Sequence, residues 1–163
     1  LSTSQLPEPP QNLEDCHTEN ELIAFTFKQL KIKFQCSMIL LFEGAKLRPW
    51  KWDKQWKPLS PESLQSFDIS KASIFRIVRR TKMPYHGYIV KNEPNESFFK
   101  DWGYAELPAH ITISPLQYES HLVGMLLSIG TQEANTPNHL LHHEKTTFML
   151  AQRLQKISSS SAA

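Results

Sequence analysis

Three histidines near the C-terminal end, His139, His142 and His143, stand in an H-x-x-H-H run. On a helix, His139 and His143 at i, i+4 share one face, the spacing at which two imidazoles reach one metal ion. The H-E-x-x-H pattern that would add a general base is missing. Glu144 is the only adjacent carboxylate and no cysteine lies near, so a solvated helix start outweighs a metal site and no metal is expected. His86 and His110 read as strand residues with satisfied hydrogen bonds. No G-x-S-x-G, P-loop or G-x-G-x-x-G run is present, so no catalytic residue is assigned and the chain reads as a non-enzyme.

Two further groups of residues carry recognition chemistry. Trp50, Trp52 and Trp56 fall within seven residues beside Lys51, Lys54 and Lys57. They read either as a protein-partner anchor, since tryptophan dominates interface energetics, or as sheet-face packing of Trp50 and Trp52, because alternate strand residues share a face. Arg76, Arg79, Arg80 and Lys82 form a basic strip that could meet an acidic partner or phosphate, or be a solvated helix face. The stretch from residue 84 to 108, PYHGYIVKNEPNESFFKDWGYAELP, is too polar for a core and too aromatic for a linker.

Composition bounds the rest. A chain of 163 residues buries one ordinary core without metal or disulfide help. A net charge of +2, with acids and bases interleaved, lacks the concentrated basic face of a nucleic-acid binder. Cys16 and Cys36 are the only cysteines, which fits a reducing compartment, and cytoplasmic localisation is expected. No stretch is long and apolar enough to suggest a membrane span or a signal peptide, so no membrane partner is expected. A chain that starts at Leu1 and ends in SSSSAA reads as a segment of a longer protein.

The elements that must position these groups follow from pattern. After a polar leader (1–16), Thr18 and Glu21 form a capping box, and Leu22, Ile23, Phe25, Phe27, Leu30 and Phe34 predict a helix to about residue 35. Residues 36 to 43 read as a strand buried on both faces. A turn at 43 to 46 leads into a second, partly exposed strand near a sheet edge, carried by Leu47, Trp50 and Trp52 with Pro49 counting against it, and 53 to 69 read as loop. An amphipathic helix spans 70 to 82 and stops before Pro84. HGYIV predicts a third strand over 86 to 90, and Asn95 a cap for a short helix presenting Phe98, Phe99 and Trp102. HITISPLQY and HLVGMLLSIG predict a hairpin turning at Glu119-Ser120. A polar loop with Pro137 precedes a helix over 140 to 157, whose Leu141, Phe148, Met149, Leu150 and Leu154 could pack on the sheet or on a twin. The sum is an α+β domain with one mainly antiparallel central sheet flanked by N- and C-terminal helices.

IFRIVRRTKMPYHG resembles the helix, T-G-x-P turn and strand of GAF domains, which are related to PAS domains, and ITISPLQYESHLVGMLLSIG is similar to their penultimate hairpin. Lys82 stands where that family often has glycine, and Glu119-Ser120 lacks the usual turn glycine. The resemblance covers residues 17 to 157, leaving 158–163 as a flexible tail. It implies a non-enzymatic regulatory or sensory domain in bacterial signal transduction, forming a homodimer through its terminal helices and signalling to a fused output domain or a protein partner. The alternative is a ligand-free, degenerate scaffold for protein docking. It also implies that the segment before the hairpin is a lid over a small-molecule cavity. Phe98, Trp102, Tyr104 and His110 are then the candidate pocket residues, with plain lid packing as the competing reading. The Asn-Lys, Phe, Asp-Glu signature of cyclic-nucleotide binders is absent, since Lys91-Asn92 is inverted, and neither cysteine is placed for bilin attachment. Cys36 reads as a small hydrophobe and not as the cysteine of the GAF-like methionine sulfoxide reductases. No cofactor is expected.

Overall fold

The computed structural model describes residues 5–131 and 137–162. The predicted polar loop before Pro137 and the first residues of the leader lie outside them.

The Thr18 capping box forms in full. The Thr18 hydroxyl accepts from the Glu21 amide at 3.1 Å, and the Glu21 carboxylate accepts from the Thr18 amide at 3.1 Å. Helix α1, Glu19–Leu30, follows from that start. It ends earlier than apolar spacing suggests, because Phe34 already pairs with Thr131 and opens strand β1, Phe34–Glu43. Strand β2, Lys46–Trp52, returns antiparallel to β1. The predicted loop over 53 to 69 contains a 3-10 turn, Pro61–Leu64, and the two-residue strand β3, Phe67–Asp68.

Helix α2, Ile74–Thr81, is capped by the Ser73 hydroxyl and stops at Lys82, which adopts the left-handed conformation (φ 54°). Strand β4 spans only Tyr85–Gly87. The predicted continuation to residue 90 leaves the sheet, and Tyr88 and Val90 are exposed. Helix α3 is Glu93–Asp101, and its cap is Asn92 in place of Asn95. The Asn92 side chain accepts from the Asn95 amide at 3.1 Å, which frees the buried Asn95 side chain for tertiary bonds. Strands β5, Ile111–Tyr118, and β6, His121–Thr131, form the predicted hairpin. Glu119 and Ser120 both take positive φ (47° and 70°), the geometry a tight hairpin turn demands. Helix α4, Pro137–Ala162, runs through the segment expected as a tail.

The six strands form one antiparallel sheet in the order β3-β2-β1-β6-β5-β4. Alternation sends the two faces of β1 and β6 to different cores. Met38, Leu40, Met125 and Leu127 join α2 and α3 on one side, while Ile39 and Leu126 join α1 and α4 on the other. Part of the leader belongs to the second core, where Leu6, Leu13 and Cys16 pack. β1 and β6 approach closely at Gly124, where an added Cβ would stand 2.2 Å from the Leu40 carbonyl oxygen.

Behind this pairing lies a row of polar side chains on the α4 face. The register aligns Ser37 with Ser128, Ser128 with Thr112, and Thr112 with His86, across four adjacent strands. The Ser37 and Ser128 hydroxyls are 2.6 Å apart, and His86 Nδ1 lies 2.5 Å from the Thr112 hydroxyl.

Two substitutions of opposite sign test this geometry in urea unfolding. Gly124→Ala is expected to lower stability by roughly 1–3 kcal/mol through overpacking against β1. Lys82→Gly is expected to raise it by about 1 kcal/mol, because glycine takes the left-handed cap without a steric penalty.

Candidate functional site

Two sites emerge from the residues outward, one on each face of the sheet. On the α3 face, Phe98, Phe99 and Trp102 recur along α3 and turn into the core. Trp102 is 1% exposed and meets Trp52 edge-on at 4.9 Å, while Phe98 meets Phe75 at 4.9 Å. Of the candidate pocket residues, Phe98 and Trp102 pack in the core, and both also border a hollow of about 330 Å³ beside Phe67 and Pro94. His110 meets Tyr88 at 4.7 Å with the rings tilted by 44° and does not line the neighbouring cavity. Tyr104 does. The cavity, about 780 Å³, is walled by Tyr88, Ile89, Phe99, Tyr104 and Leu107, with Lys91, Glu96, Lys100 and Glu106 supplying charge. Aromatic and aliphatic side chains share this lining about equally with polar groups, so a ligand there would be a polar one with an apolar face. Tyr88 is not among the sequence-based candidates, and Lys91 and Lys100 enter there only through the unmatched cyclic-nucleotide signature.

The tryptophan group divides. The β1–β2 register slips between Ile39 and Leu40, pairing Ile39 with Lys51 and Leu40 with Pro49. This bulge at Trp50 puts Trp50 and Trp52 on opposite faces, against simple alternation. Trp52 and Trp56 are buried, and the Trp56 indole donates to the Ser37 carbonyl at 2.9 Å. Neither can anchor a partner. Trp50, half-buried, lines a groove of about 390 Å³ with Tyr118 and Leu154, while Trp52 borders a separate hollow beside Leu6 and Lys54.

On the α4 face His139 and His143 prove to be buried, which corrects the expected solvated helix start for these two histidines. His139 and His143 do share one face, and it packs edge-on against Phe34, with ring centroids at 6.1 and 5.2 Å. His143 is sealed between strands: Nδ1 lies 2.6 Å from the Ser114 hydroxyl and Nε2 2.9 Å from the Ser128 hydroxyl. His142 turns aside, its Nε2 meeting the Gln29 carbonyl at 2.9 Å. Among the described residues no three metal-ligating side chains converge.

Burial drives the His143 imidazole from its ordinary 6.5 down to about 3, with His142 and His86 adding repulsion. The neutral ring donates from one nitrogen and accepts at the other, so the two serine hydroxyls must point in opposite senses relative to it. The row reaches the cavity through β1. Cys36, next to Ser37, has its sulfur 3.4 Å from the Tyr104 hydroxyl. Desolvation pushes the Cys36 thiol up to about 12, offset in part by that hydrogen bond, so it stays protonated and unreactive. Asp53, buried beside it, accepts from the Ser37 amide at 2.7 Å, and burial raises its carboxyl to about 6.

Comparison with known proteins identifies the architecture. No family model and no curated protein matches the chain. Solved structures do: the GAF domain of a two-component sensor histidine kinase from Bacillus halodurans aligns with a TM-score of 0.68 at 14% identity, covering 90% of this chain and 99% of that one. The chain has the GAF fold. The GAF domain of a phosphoenolpyruvate-protein phosphotransferase from Coxiella burnetii aligns over 89% of this chain and 86% of its own length, with a TM-score of 0.64 at 10% identity. A type II free methionine-R-sulfoxide reductase from Thermoplasma acidophilum aligns with a TM-score of 0.54 at 11% identity, over 83% and 95%. At these identities the likeness is one of fold.

The buried acid and the buried base act oppositely on stability. His143, depressed in the folded state, stabilises fully above about pH 6.5 and loses that contribution as pH falls toward 3. Asp53, raised in the folded state, adds stability as pH falls from about 6 toward 3.8. Asp53→Asn is therefore expected to steepen acid destabilisation. The stability of wild type relative to this variant should grow by on the order of 2–3 kcal/mol between pH 7 and pH 4, read from urea midpoints at each pH.

Proposed function

We propose that this chain is a non-enzymatic sensory or regulatory GAF domain that pairs with a second copy through α1 and α4 and signals through α4 to a neighbouring output domain. A small molecule in the α3-face cavity is the input. The observation that carries this reading is a pair of hydrogen-bonded chains on the two faces of β1, Tyr104 to Cys36 on one and Ser37 to Ser128 to His143 on the other, joined by the Cys36–Ser37 backbone. A ligand that moves Tyr104 reaches α4 through that strand, the two-sided element that coupling requires. The neutral, enclosed His143 and the high-pKa Cys36 support a non-enzymatic role. The kinase and phosphotransferase origins of the compared domains support a place in signal transduction. No helix among the described residues is long and apolar enough to cross a membrane, in keeping with the cytoplasmic setting we propose.

Helix α4 is built for pairing. Leu150 is fully buried and Leu154 partly so, whereas Leu141 and Phe148, seven residues apart and so on one stripe, are 49% and 64% exposed. A second copy that covers each such side chain gains about 1.5–3 kcal/mol.

A second reading, a ligand-free docking scaffold, is favoured by one observation: Phe98 and Trp102 are buried among core side chains. Its contact residue is Trp50. Native mass spectrometry of gently purified protein separates the two, because a retained small-molecule mass supports the sensor and a ligand-free dimer supports the scaffold. Light scattering tests the pairing in both. Wild type is expected to be a dimer and the Leu141→Asp, Phe148→Asp double variant a folded monomer, whereas monomeric wild type at high concentration removes the dimer from the account.

A further inference from the structure

The basic strip on α2 is not absorbed by the cavity or by the α4 face, and its surroundings give it a definite shape. Between Ile69 and Asn92 the chain carries Lys71, Arg76, Arg79, Arg80, Lys82 and Lys91 and no carboxylate, although the whole chain is nearly charge-balanced. The same segment exposes Ile77 (44%), Met83 (64%), Tyr88 (72%) and Val90 (61%). Exposed cations alone signify a solvated face, but cations interleaved with exposed apolar side chains are a recognition surface.

These residues surround a groove of about 280 Å³, in which Arg76 and Arg80 stand beside Ile77, Tyr85 and Val90. Arg79 is committed elsewhere, donating to the Ala45 carbonyl at 3.3 Å and covering the Phe42 ring. Lys71 approaches Glu93 at 3.9 Å. Arg76, Arg80, Lys82 and Lys91 form no ion pair among the described residues, so four charges are available to a partner.

The groove is rigid. Asn95 accepts from the Ile74 amide at 3.2 Å and donates to the Val90 carbonyl at 2.8 Å, and Asn92 donates to the Ala72 carbonyl at 3.1 Å. These bonds tie the start of α2, the start of α3 and the 88–92 turn into one wall, which lowers the ordering cost of binding. Strand β4 borders it as the terminal strand of the sheet, paired with β5 on one side only, and so offers backbone groups to an extended chain.

We infer that this α2–β4 surface docks an extended acidic segment of a partner protein, with an apolar side chain seated between Ile77 and Val90 and carboxylates on Arg76 and Arg80. Charge complementarity selects the partner's sign, the groove selects an apolar anchor, and the free strand edge selects an extended backbone. An anionic membrane or a nucleic-acid duplex fits less well, because Glu93 and Glu96 lie just beyond the wall and interrupt a continuous positive face. The groove adjoins the cavity through the 88–92 segment, with Tyr88 and Lys91 on the cavity side, but Arg76, Ile77 and Arg80, which carry the proposal, do not line that cavity.

The test is selection of random 16-residue peptides displayed on phage against the wild-type chain, followed by affinity measurement of the enriched peptides by fluorescence anisotropy. Enriched peptides are expected to place two or more acidic residues around an apolar one. Their binding should weaken at least tenfold in Arg76→Glu, Arg80→Glu and in Ile77→Asp, and weaken with salt. Lys28→Glu, Lys33→Glu, which makes the same charge change on the opposite side of the sheet, should bind normally, and circular dichroism should show every variant folded. No enrichment, enrichment of non-acidic peptides, or equal binding by the Arg76→Glu, Arg80→Glu variant overturns the proposal. So does tighter binding to vesicles containing 30% phosphatidylserine or to a 20-base-pair duplex, because either assigns the charge to another class of partner.

Discussion

The structure depends on how tightly β1 and β6 can lie together while presenting small hydroxyls to α4. Gly124 lets the two backbones close, and the register then sets Ser37 beside Ser128 and Ser128 beside Thr112. Serines at these positions leave room for one imidazole between Ser114 and Ser128, and His143 fills it. A buried polar group is costly unless satisfied, so this single ring fixes how α4 is rotated on the sheet. The exposed stripe of Leu141 and Phe148 faces outward because His143 faces inward.

Local patterns made much of this legible. The Thr18 and Glu21 capping box, the basic α2 and the β5–β6 hairpin rest on neighbours in sequence, and each forms where its pattern places it. The GAF resemblance rested on the same segments. Departures from its glycine pattern left a trace that is explicable, since Lys82, Glu119 and Ser120 carry the left-handed conformations themselves.

What escaped the sequence was set by tertiary pairing. Nothing local announces the slip opposite Leu40 that separates Trp50 from Trp52. Asn92 and Asn95 are equivalent caps by type, and only the packing of α2 on α3 decides which of them serves the helix and which ties elements together. The pattern could not reveal the burial of His143, because its hydroxyl partners come from β5 and β6. The hydroxyls did leave a signal, in the polar positions that interrupt otherwise apolar strands at Ser37, Ser114 and Ser128, but alternation alone does not say what they meet. Of the four aromatic and histidine candidates in residues 84 to 110, Tyr104 lines the cavity, Phe98 and Trp102 pack in the core and border a second hollow, and His110 lines neither, a division set by tertiary packing and not by local pattern.

The central claim, that the cavity wall and α4 are joined through the hydroxyl row, is tested most directly by long-range proton–nitrogen NMR of the His143 ring in wild type and in Tyr104→Phe. The account predicts a neutral ring in one tautomer that does not titrate between pH 5 and 8, with an Nε2 resonance that shifts when the Tyr104 hydroxyl is removed. A ring that titrates near pH 6.5, or an Nε2 resonance indifferent to Tyr104, would contradict it.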